Sequence, residues 1–152
     1  MIAFELDGEP VGWQRGGIRV AETRTGKRFA TVYTPSKTRK YQAALAWAAK
    51  AAMRAKPPFY GPLMITVTAF MGVPRSWSNK KRDAALAGIV RPTGKPDFDN
   101  LIKHVDALKT IVWLDDAQVV DGRVIKIYDE RPRLRIEVQP LEALPPLVSE
   151  SP

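Results

Sequence analysis

The chain has 152 residues, 45% hydrophobic and 26% charged, with a net charge of +8, and this composition predicts a single soluble domain with a substantial core. No apolar run reaches the roughly 18 residues that suggest a membrane span, and the first residues lack the basic-then-apolar layout of a signal peptide. Because cysteine is absent, disulfides and zinc-thiolate sites are excluded, and we expect a cytoplasmic protein with no membrane partner.

A first strand is predicted over residues 1–7, and a strongly basic segment follows it. Residues 13–40 carry eight basic side chains against one acid. A basic surface binds phosphate backbones by releasing counterions, so this segment predicts a polyanion partner; the alternative is a solvated basic face that aids solubility. Gly16, Gly17 and Gly26 indicate a hairpin or arm. The DNA-binding residues predicted here are Arg15, Arg19, Arg24, Lys27, Arg28, Lys37, Arg39 and Lys40.

A long, alanine-rich helix is predicted over residues 35–54, with Thr34 as its N-cap and Pro35 in its first turn. The basic residues at its start lie where helical amides also favour phosphate. Trp47 is expected in the core rather than as a platform for base stacking. The predicted buried stripe consists of Tyr41, Ala44, Leu45, Ala48 and Ala52.

The middle of the chain is predicted to contain one strand and one short helix. Residues 63–70 are apolar and β-branched, and they form the strongest strand pattern in the sequence. Ser78 is placed to cap a helix over residues 79–87. That helix adds a second cluster of predicted DNA-binding residues, namely Lys80, Lys81 and Arg82.

An acidic stretch over residues 95–106 predicts an amphipathic helix that begins near Asp97 or Asp99, either of which can cap it. On a wheel of about 100° per residue, Asp99, Lys103 and Asp106 share one face, which therefore carries both signs of charge. The opposite, apolar face consists of Leu101, Val105, Leu108 and Val112.

Short strands are predicted beyond this helix. Their ranges are 111–114, 118–120, 123–128 and 134–138. A turn at Asp115 and Asp116 separates the first two of them, and it could return Asp116 to the side of Asp97 and Asp99.

The acidic residues indicate a metal site. Carboxylates without histidine or cysteine partners suit hard cations such as Mg²⁺ or Mn²⁺. A metal held by two or three aspartates can activate water and stabilise charge building on a phosphate, and Lys103 could neutralise that phosphate. Spacing alone equally allows a plain helix N-terminus with an ion pair between Asp99 and Lys103. His104, the one histidine, is expected to pack at a boundary position rather than act as a general base.

Two motifs surround these acids. One is the Lys-Pro-Asp-Phe-Asp-Asn-Leu-Ile-Lys run of residues 95–103, and the other is Trp-Leu-Asp-Asp-Ala-Gln-Val at residues 113–119. Together they resemble the signature of the RusA-type Holliday-junction resolvases, a phage-associated family of endodeoxyribonucleases. A Thr-Pro-Ser-Lys-Thr run at residues 34–38 is also similar, so the resemblance spans most of the chain.

The resemblance implies roles by position. It marks Asp97, Asp99 and Asp116 as acidic catalytic residues that bind metal, and Lys103 as functionally important. It also implies a homodimer that depends on Mg²⁺, with Mn²⁺ as an alternative, and that nicks four-way DNA junctions in recombination and repair. Candidate accessory residues are Asp106, Asp115 and Lys95.

The predicted architecture is an α+β domain of two layers, a mixed β-sheet with helices on one face, in a homodimer. Residues 1–139 would form the nuclease domain and residues 140–152 a disordered tail.

The chain has Thr110 where the family carries glycine, which removes an easy helix C-cap. Two alternative functions stay open: a non-catalytic module that binds DNA junctions, and a nuclease for other branched DNA such as flaps and forks.

Overall fold

The computed structural model describes residues 1–142, which contain six strands, three α-helices and two 3₁₀ helices. The strands are β1 (Ile2–Asp7), β2 (Gly17–Glu22), β3 (Arg28–Tyr33), β4 (Leu63–Gly72), β5 (Val119–Asp129) and β6 (Arg133–Pro140). The helices are α1 (Ser36–Met53), α2 (Asn79–Leu86) and α3 (Phe98–Ile102), and the 3₁₀ helices are η1 (Lys103–Leu108) and η2 (Asp116–Gln118). Within this part of the chain, no helix combines the length and apolarity that crossing a membrane requires.

Four strands form a mixed sheet in the order β1-β6-β4-β5. β6 pairs antiparallel with β1 and β4, whereas β4 and β5 run parallel. A parallel pair needs a crossover connection, and here that connection contains α2, α3, η1 and η2. The predicted α+β fold with a mixed sheet is therefore confirmed, and the crossover carries the acidic residues.

One face of the sheet holds the core, because apolar residues alternate along its two central strands. The buried residues on this face of β4 and β6 are Ile65, Val67, Ala69, Leu134, Ile136 and Val138. α1 and the crossover cover them with Leu45, Ala49, Met53, Leu101, Leu108, Val112 and Trp113. The opposite face of the sheet carries an ionic network in which Glu5 contacts Arg131, Arg133 and Arg135.

β2 and β3 form a hairpin that, among the described residues, pairs with neither edge of the main sheet. All six residues of β3 are exposed. Gly26, in the connecting turn, has a φ of 83°, a conformation that favours glycine. The hairpin that the glycines indicated is thus confirmed, and it places a basic arm on the surface.

The strand predicted over residues 111–114 is wrong. The chain makes turns here, with Thr110 N–H donating to Trp113 O at 2.6 Å and an isolated bridge between Trp113 and Phe59. Val112 and Trp113 are fully buried, so their apolar character reflects the core rather than a strand. Thr110 has a φ of 70°, which is the left-handed conformation that a glycine would adopt without strain.

Two predictions about α1 are also wrong. Trp47 is 75% exposed instead of buried. Pro35 rather than Thr34 is the N-cap residue, and the cap makes no side-chain hydrogen bond. The cap of α2 is confirmed, since Ser78 Oγ accepts a hydrogen bond from Lys81 N–H at 3.2 Å.

The acidic stretch and the C-terminal strands differ from prediction in their boundaries. α3 ends at Ile102 and the chain continues as the 3₁₀ helix η1, so the predicted α-helix is shortened. The two strands predicted between residues 118 and 128 are one continuous strand, β5. Pro140, the first residue of the predicted tail, ends β6, and Leu141 N–H donates to Pro62 O at 2.9 Å. The prediction for residues 143–152 lies outside the described residues.

Candidate active site

The first half of the candidate site is the start of α3, where two aspartates each meet a lysine. Asp97 is the N-cap residue, but its carboxylate makes no cap hydrogen bond and instead lies 2.9 Å from Lys95 Nζ. One turn further on, Lys103 Nζ lies 3.8 Å from Asp99 Oδ2, so the predicted pairing on one helical face is confirmed. All four side chains are at least 41% exposed. This half of the site is therefore held by ion pairs in contact with solvent.

The second half is the turn formed by η2, which hydrogen bonds hold on both sides. Asp115 Oδ1 accepts from Ala117 N–H at 2.9 Å, and Gln118 Oε1 accepts from Asp115 N–H at 3.0 Å, which closes a capping box. Gln118 Nε2 donates to the carbonyls of Phe59 and Gly61 at 2.9 and 3.1 Å. The carboxylate of Asp115 thus serves the turn, and Gln118 ties the turn to the loop before β4.

Asp116 is exposed, but a buried residue fixes its carboxylate. Trp113 is fully buried, and its Nε1 donates to Asp116 Oδ1 at 2.8 Å. Burial and the negative charge of Asp116 both raise the pKa of Asp106 in η1. The two carboxylates therefore repel each other electrostatically.

The donors fit a hard divalent cation in their chemistry, because all of them are carboxylates. Across residues 1–142, no group of three His, Asp or Glu side chains is arranged to hold a metal ion. The acids fall into two pairs: Asp97 and Asp99, each paired with a lysine, and Asp106 and Asp116 at the turn. The three aspartates of the predicted set do not form a closed cluster in this arrangement.

The loop between β1 and β2 packs against α3 and forms a further wall of the site. Trp13 N–H donates to Asn100 O at 2.8 Å. At Gly12 a Cβ atom would lie 2.8 Å from Pro96 Cβ, so a side chain there would push the loop away. The loop presents the ring of Trp13, whose centroid lies 4.7 Å from Lys103 Nζ. Lys103 therefore stands between an aspartate and an indole.

His104 anchors the loop between β1 and β2 from the protein interior. It is fully buried, and its Nε2 lies 2.7 Å from the carbonyl oxygen of Val11. Because a carbonyl can only accept, the imidazole donates from Nε2. Its ring packs against Tyr41 at 4.8 Å between centroids, and burial lowers the pKa of His104 below 6.5. His104 is thus a packing residue, as expected, but the predicted boundary position is wrong because the side chain is fully buried.

Part of the predicted DNA-binding set lies directly beside the acids. Arg15 and Lys37 line a cavity of about 800 Å³ between the β1–β2 loop and α3, together with Lys95, Asp99 and Lys103. Two cations of the basic segment and Asp99 of the first acidic pair therefore share one concave surface.

The remaining predicted DNA-binding residues lie elsewhere on the surface. The hairpin and the first turns of α1 expose Arg19, Arg24, Lys27, Arg28, Arg39 and Lys40. On α2, Lys80 and Lys81 are exposed whereas Arg82 is half-buried. Lys81 Nζ lies 3.9 Å from the centroid of Trp77, so one cation of this cluster already has an aromatic partner.

Sequence reasoning gave no role to Trp13, Trp113 or Gln118. For Trp113 and Gln118 a signal existed, because they flank the aspartate pair within the second motif at a spacing that one turn can close. Trp13 offered only its place in the basic segment, since its contact with Lys103 depends on how the loop packs.

Comparison with known proteins identifies the class as a DNA endonuclease, because residues 7–139 match the family model described as Endodeoxyribonuclease RusA. The family acts on Holliday junctions. The chain belongs to the RusA family. A similar relative, described as an uncharacterized protein, YqaN of Bacillus subtilis (strain 168), is 36% identical over 147 residues, which cover 93% of this chain and 98% of that protein.

Proposed function

We propose that the protein is a Mg²⁺-dependent endodeoxyribonuclease that resolves four-way DNA junctions by paired symmetric nicks in recombination and repair. The observation that carries the proposal is the cavity in which Asp99 and Lys103 share a wall with Arg15, Lys37 and Lys95. The cations attract a phosphate backbone, and carboxylates are the ligands of metal-assisted phosphodiester hydrolysis. Membership of the RusA family supports the same reaction.

The metal ligands we propose come from the family motif, whereas the roles of Lys103 and Trp113 follow from the surroundings of these side chains. Asp97, Asp99 and Asp116 would hold Mg²⁺, with Mn²⁺ as the alternative, and the two acidic pairs would have to come together around the ion; such an ion would supply an activated water and charge stabilisation at phosphorus. Lys103 neutralises charge on the scissile phosphate from its place beside Asp99. Trp113 keeps Asp116 in position through the hydrogen bond to Oδ1.

The grip on the junction arms is assigned to the exposed cations of the hairpin and of the first turns of α1. Such side chains contact phosphates, which fixes the position of the DNA without reading its bases. Recognition of the branched substrate would therefore rest on shape and backbone geometry.

We further propose an isologous homodimer, because a four-way junction presents two symmetry-related strands to cut. Light scattering at micromolar concentration is expected to give the mass of two chains. A strictly monomeric mass, with or without junction DNA, would remove the dimer and the symmetric nicking that depends on it.

The experiment that tests the function is cleavage of a mobile four-way junction, with duplex and flap substrates as controls, in the presence and absence of Mg²⁺ or Mn²⁺. Paired nicks that require metal are the expected result. Junction binding without cutting under both metals would favour a non-catalytic binding module. Preferential cutting of flaps would retain the chemistry and change the substrate.

A further inference from the structure

The cavity beside the first acidic pair has the size of a ligand pocket as well as the charge of a phosphate site. Its volume is about 800 Å³, and pockets for small molecules span roughly 300–1,000 Å³. A phosphate alone would not fill a concave surface of this volume. The space can therefore accept a larger group as well.

The lining of the cavity matches a nucleotide. Trp13 supplies an aromatic ring, Asn100 an amide, and Arg15 and Lys37 positive charge. Proteins that bind unpaired nucleotides combine the same elements, stacking bases on aromatic rings and holding the backbone with cations. The cations that line the cavity outnumber its carboxylates, four to two, which suits an anionic ligand.

The backbone that carries Trp13 is held in place before any ligand arrives. The backbone N–H of Trp13 donates to Asn100 O at 2.8 Å, and the backbone N–H of Gln14 donates to Thr38 Oγ1 at 3.0 Å. Gly12 allows the loop to approach Pro96 closely on the other side. A platform fixed at several points loses little conformational freedom when a base stacks on it.

Trp13 places the cavity next to two of the proposed catalytic residues, Lys103 and Asp99. Lys103 Nζ lies 4.7 Å from the centroid of the Trp13 ring and 3.8 Å from Asp99 Oδ2. Lys103 lies over one face of this ring, and a base that stacked on the other face would bring its own phosphate close to Lys103 and Asp99. The nucleotide that enters the pocket would be the one adjacent to the cut.

We propose that this cavity takes an unstacked base from the branch point of the junction, that the base stacks on Trp13, and that this step determines which phosphate is cut. The inference rests on the proposed function. Extruding a base from intact duplex costs several stacking and pairing contacts, whereas a branch point supplies nucleotides that are already poorly stacked. The pocket would thus favour branched over duplex DNA.

The test removes the Trp13 side chain and the base separately and together, and measures junction affinity each time. EDTA is present so that cutting plays no part. The probes are one four-way junction and a series of copies with an abasic nucleotide at each position around the branch point. For the wild-type protein, one abasic position is expected to weaken binding by about 10- to 100-fold. Trp13→Ala should bind the intact junction as weakly as that abasic copy and should no longer distinguish the two, while Trp13→Phe keeps the difference.

Trp47→Ala is the matched control, because Trp47 is also an exposed aromatic residue but lies on α1 outside the cavity lining, and it should bind like wild type. Equal loss for Trp13→Ala on intact and abasic junctions would overturn the proposal and leave Trp13 as a residue that positions Lys103. An abasic series without effect on the wild type would overturn it independently of any variant. The coupling in EDTA together with no cutting in Mg²⁺ would refute the proposed function alone, whereas cutting without coupling would refute the base pocket alone.

Discussion

The two halves of the candidate site differ in what holds their carboxylates. At the η2 turn, Asp116 accepts a hydrogen bond from the buried Trp113, and Gln118 anchors the turn to the loop before β4. At the start of α3, Asp97 and Asp99 are paired with exposed lysines. Exposed ion pairs are worth little because water screens them, whereas a hydrogen bond from a packed side chain fixes an orientation. The turn therefore holds the Asp116 carboxylate in position before any ligand binds. At the start of α3, an incoming cation or phosphate can replace the lysine partners of Asp97 and Asp99.

The largest effect is expected at the turn, where adjacent aspartates should behave oppositely. Asp116→Asn retains an oxygen that can accept from Trp113 but removes the negative charge, so junction cutting should fall by on the order of 100-fold or more. Asp115→Asn keeps a side chain that caps η2 as well as aspartate does, so cutting should change little. Gel-based cleavage rates for the two variants, at equal concentrations of Mg²⁺, make the comparison.

Asp99→Asn tests the other half by the same assay and should also abolish cutting, while junction binding stays intact or tightens. The division of roles at the turn would be refuted if Asp115→Asn were as inactive as Asp116→Asn while both melted at the wild-type temperature. Loss of junction binding in Asp99→Asn would instead make the acids of α3 structural.

The fold could be predicted where the signal is local. Alternation and β-branching predicted a strand at 63–70, and β4 runs over Leu63–Gly72. The same reasoning failed at residues 111–114, because Val112 and Trp113 are buried by contacts with distant segments such as Phe59. The expectation for Trp47 failed because its large apolar ring suggested the core, although it lies about 200° from Leu45 on the helical wheel and therefore off the predicted buried stripe.

The site could be predicted as a set of residues but not as an arrangement. The pair of Asp99 and Lys103 follows from helical spacing and is present. A wheel of about 100° per residue does not hold beyond Ile102, because η1 is a 3₁₀ helix with about three residues per turn. The electrostatic effect of Asp116 on Asp106 joins two separate segments of the chain, and no spacing rule predicts where such segments lie.

A smaller effect is expected when the support of Asp116 is removed and its charge is kept. Trp113→Phe loses the hydrogen bond to Oδ1, so cutting should fall by about 10- to 100-fold and more Mg²⁺ should be needed. The free energy of unfolding should drop by about 1–3 kcal/mol, because a buried ring is also made smaller. Trp47→Phe is the control, since Trp47 is 75% exposed. Wild-type cutting by Trp113→Phe would show that the turn needs no support from the core.

His104, which anchors the loop that carries Trp13, should make the stability of the protein depend on pH. Burial lowers the pKa of His104 in the folded state, so the unfolded chain binds a proton more readily below about 6.5. The contribution of neutral His104 to the free energy of unfolding is therefore complete above that pH and is lost as the pH falls below it. The melting temperature of the wild type should decrease between pH 7.5 and 5.5. His104→Gln, which can still donate to Val11 O, should melt lower at pH 7.5 but depend less on pH. If the melting temperatures of the two proteins depended equally on pH, burial of the neutral His104 ring against Tyr41 would not be the cause.

The smallest effect is expected at Lys95, and it is the most direct measure of how loosely the α3 half is held. The hydrogen bond and charge of Asp97 raise the pKa of Lys95, yet the lysine side chain is 83% exposed, so Lys95→Met should leave the melting temperature nearly unchanged. If the ammonium competes with a metal for Asp97, the variant should reach half-maximal cutting at about 1.5- to 5-fold less Mg²⁺. Junction affinity in EDTA should weaken slightly, because one phosphate contact is lost. A variant that needs more Mg²⁺ than wild type would mean that Lys95 helps to assemble the site, and the contrast between a fixed turn and a replaceable set of ion pairs would no longer hold.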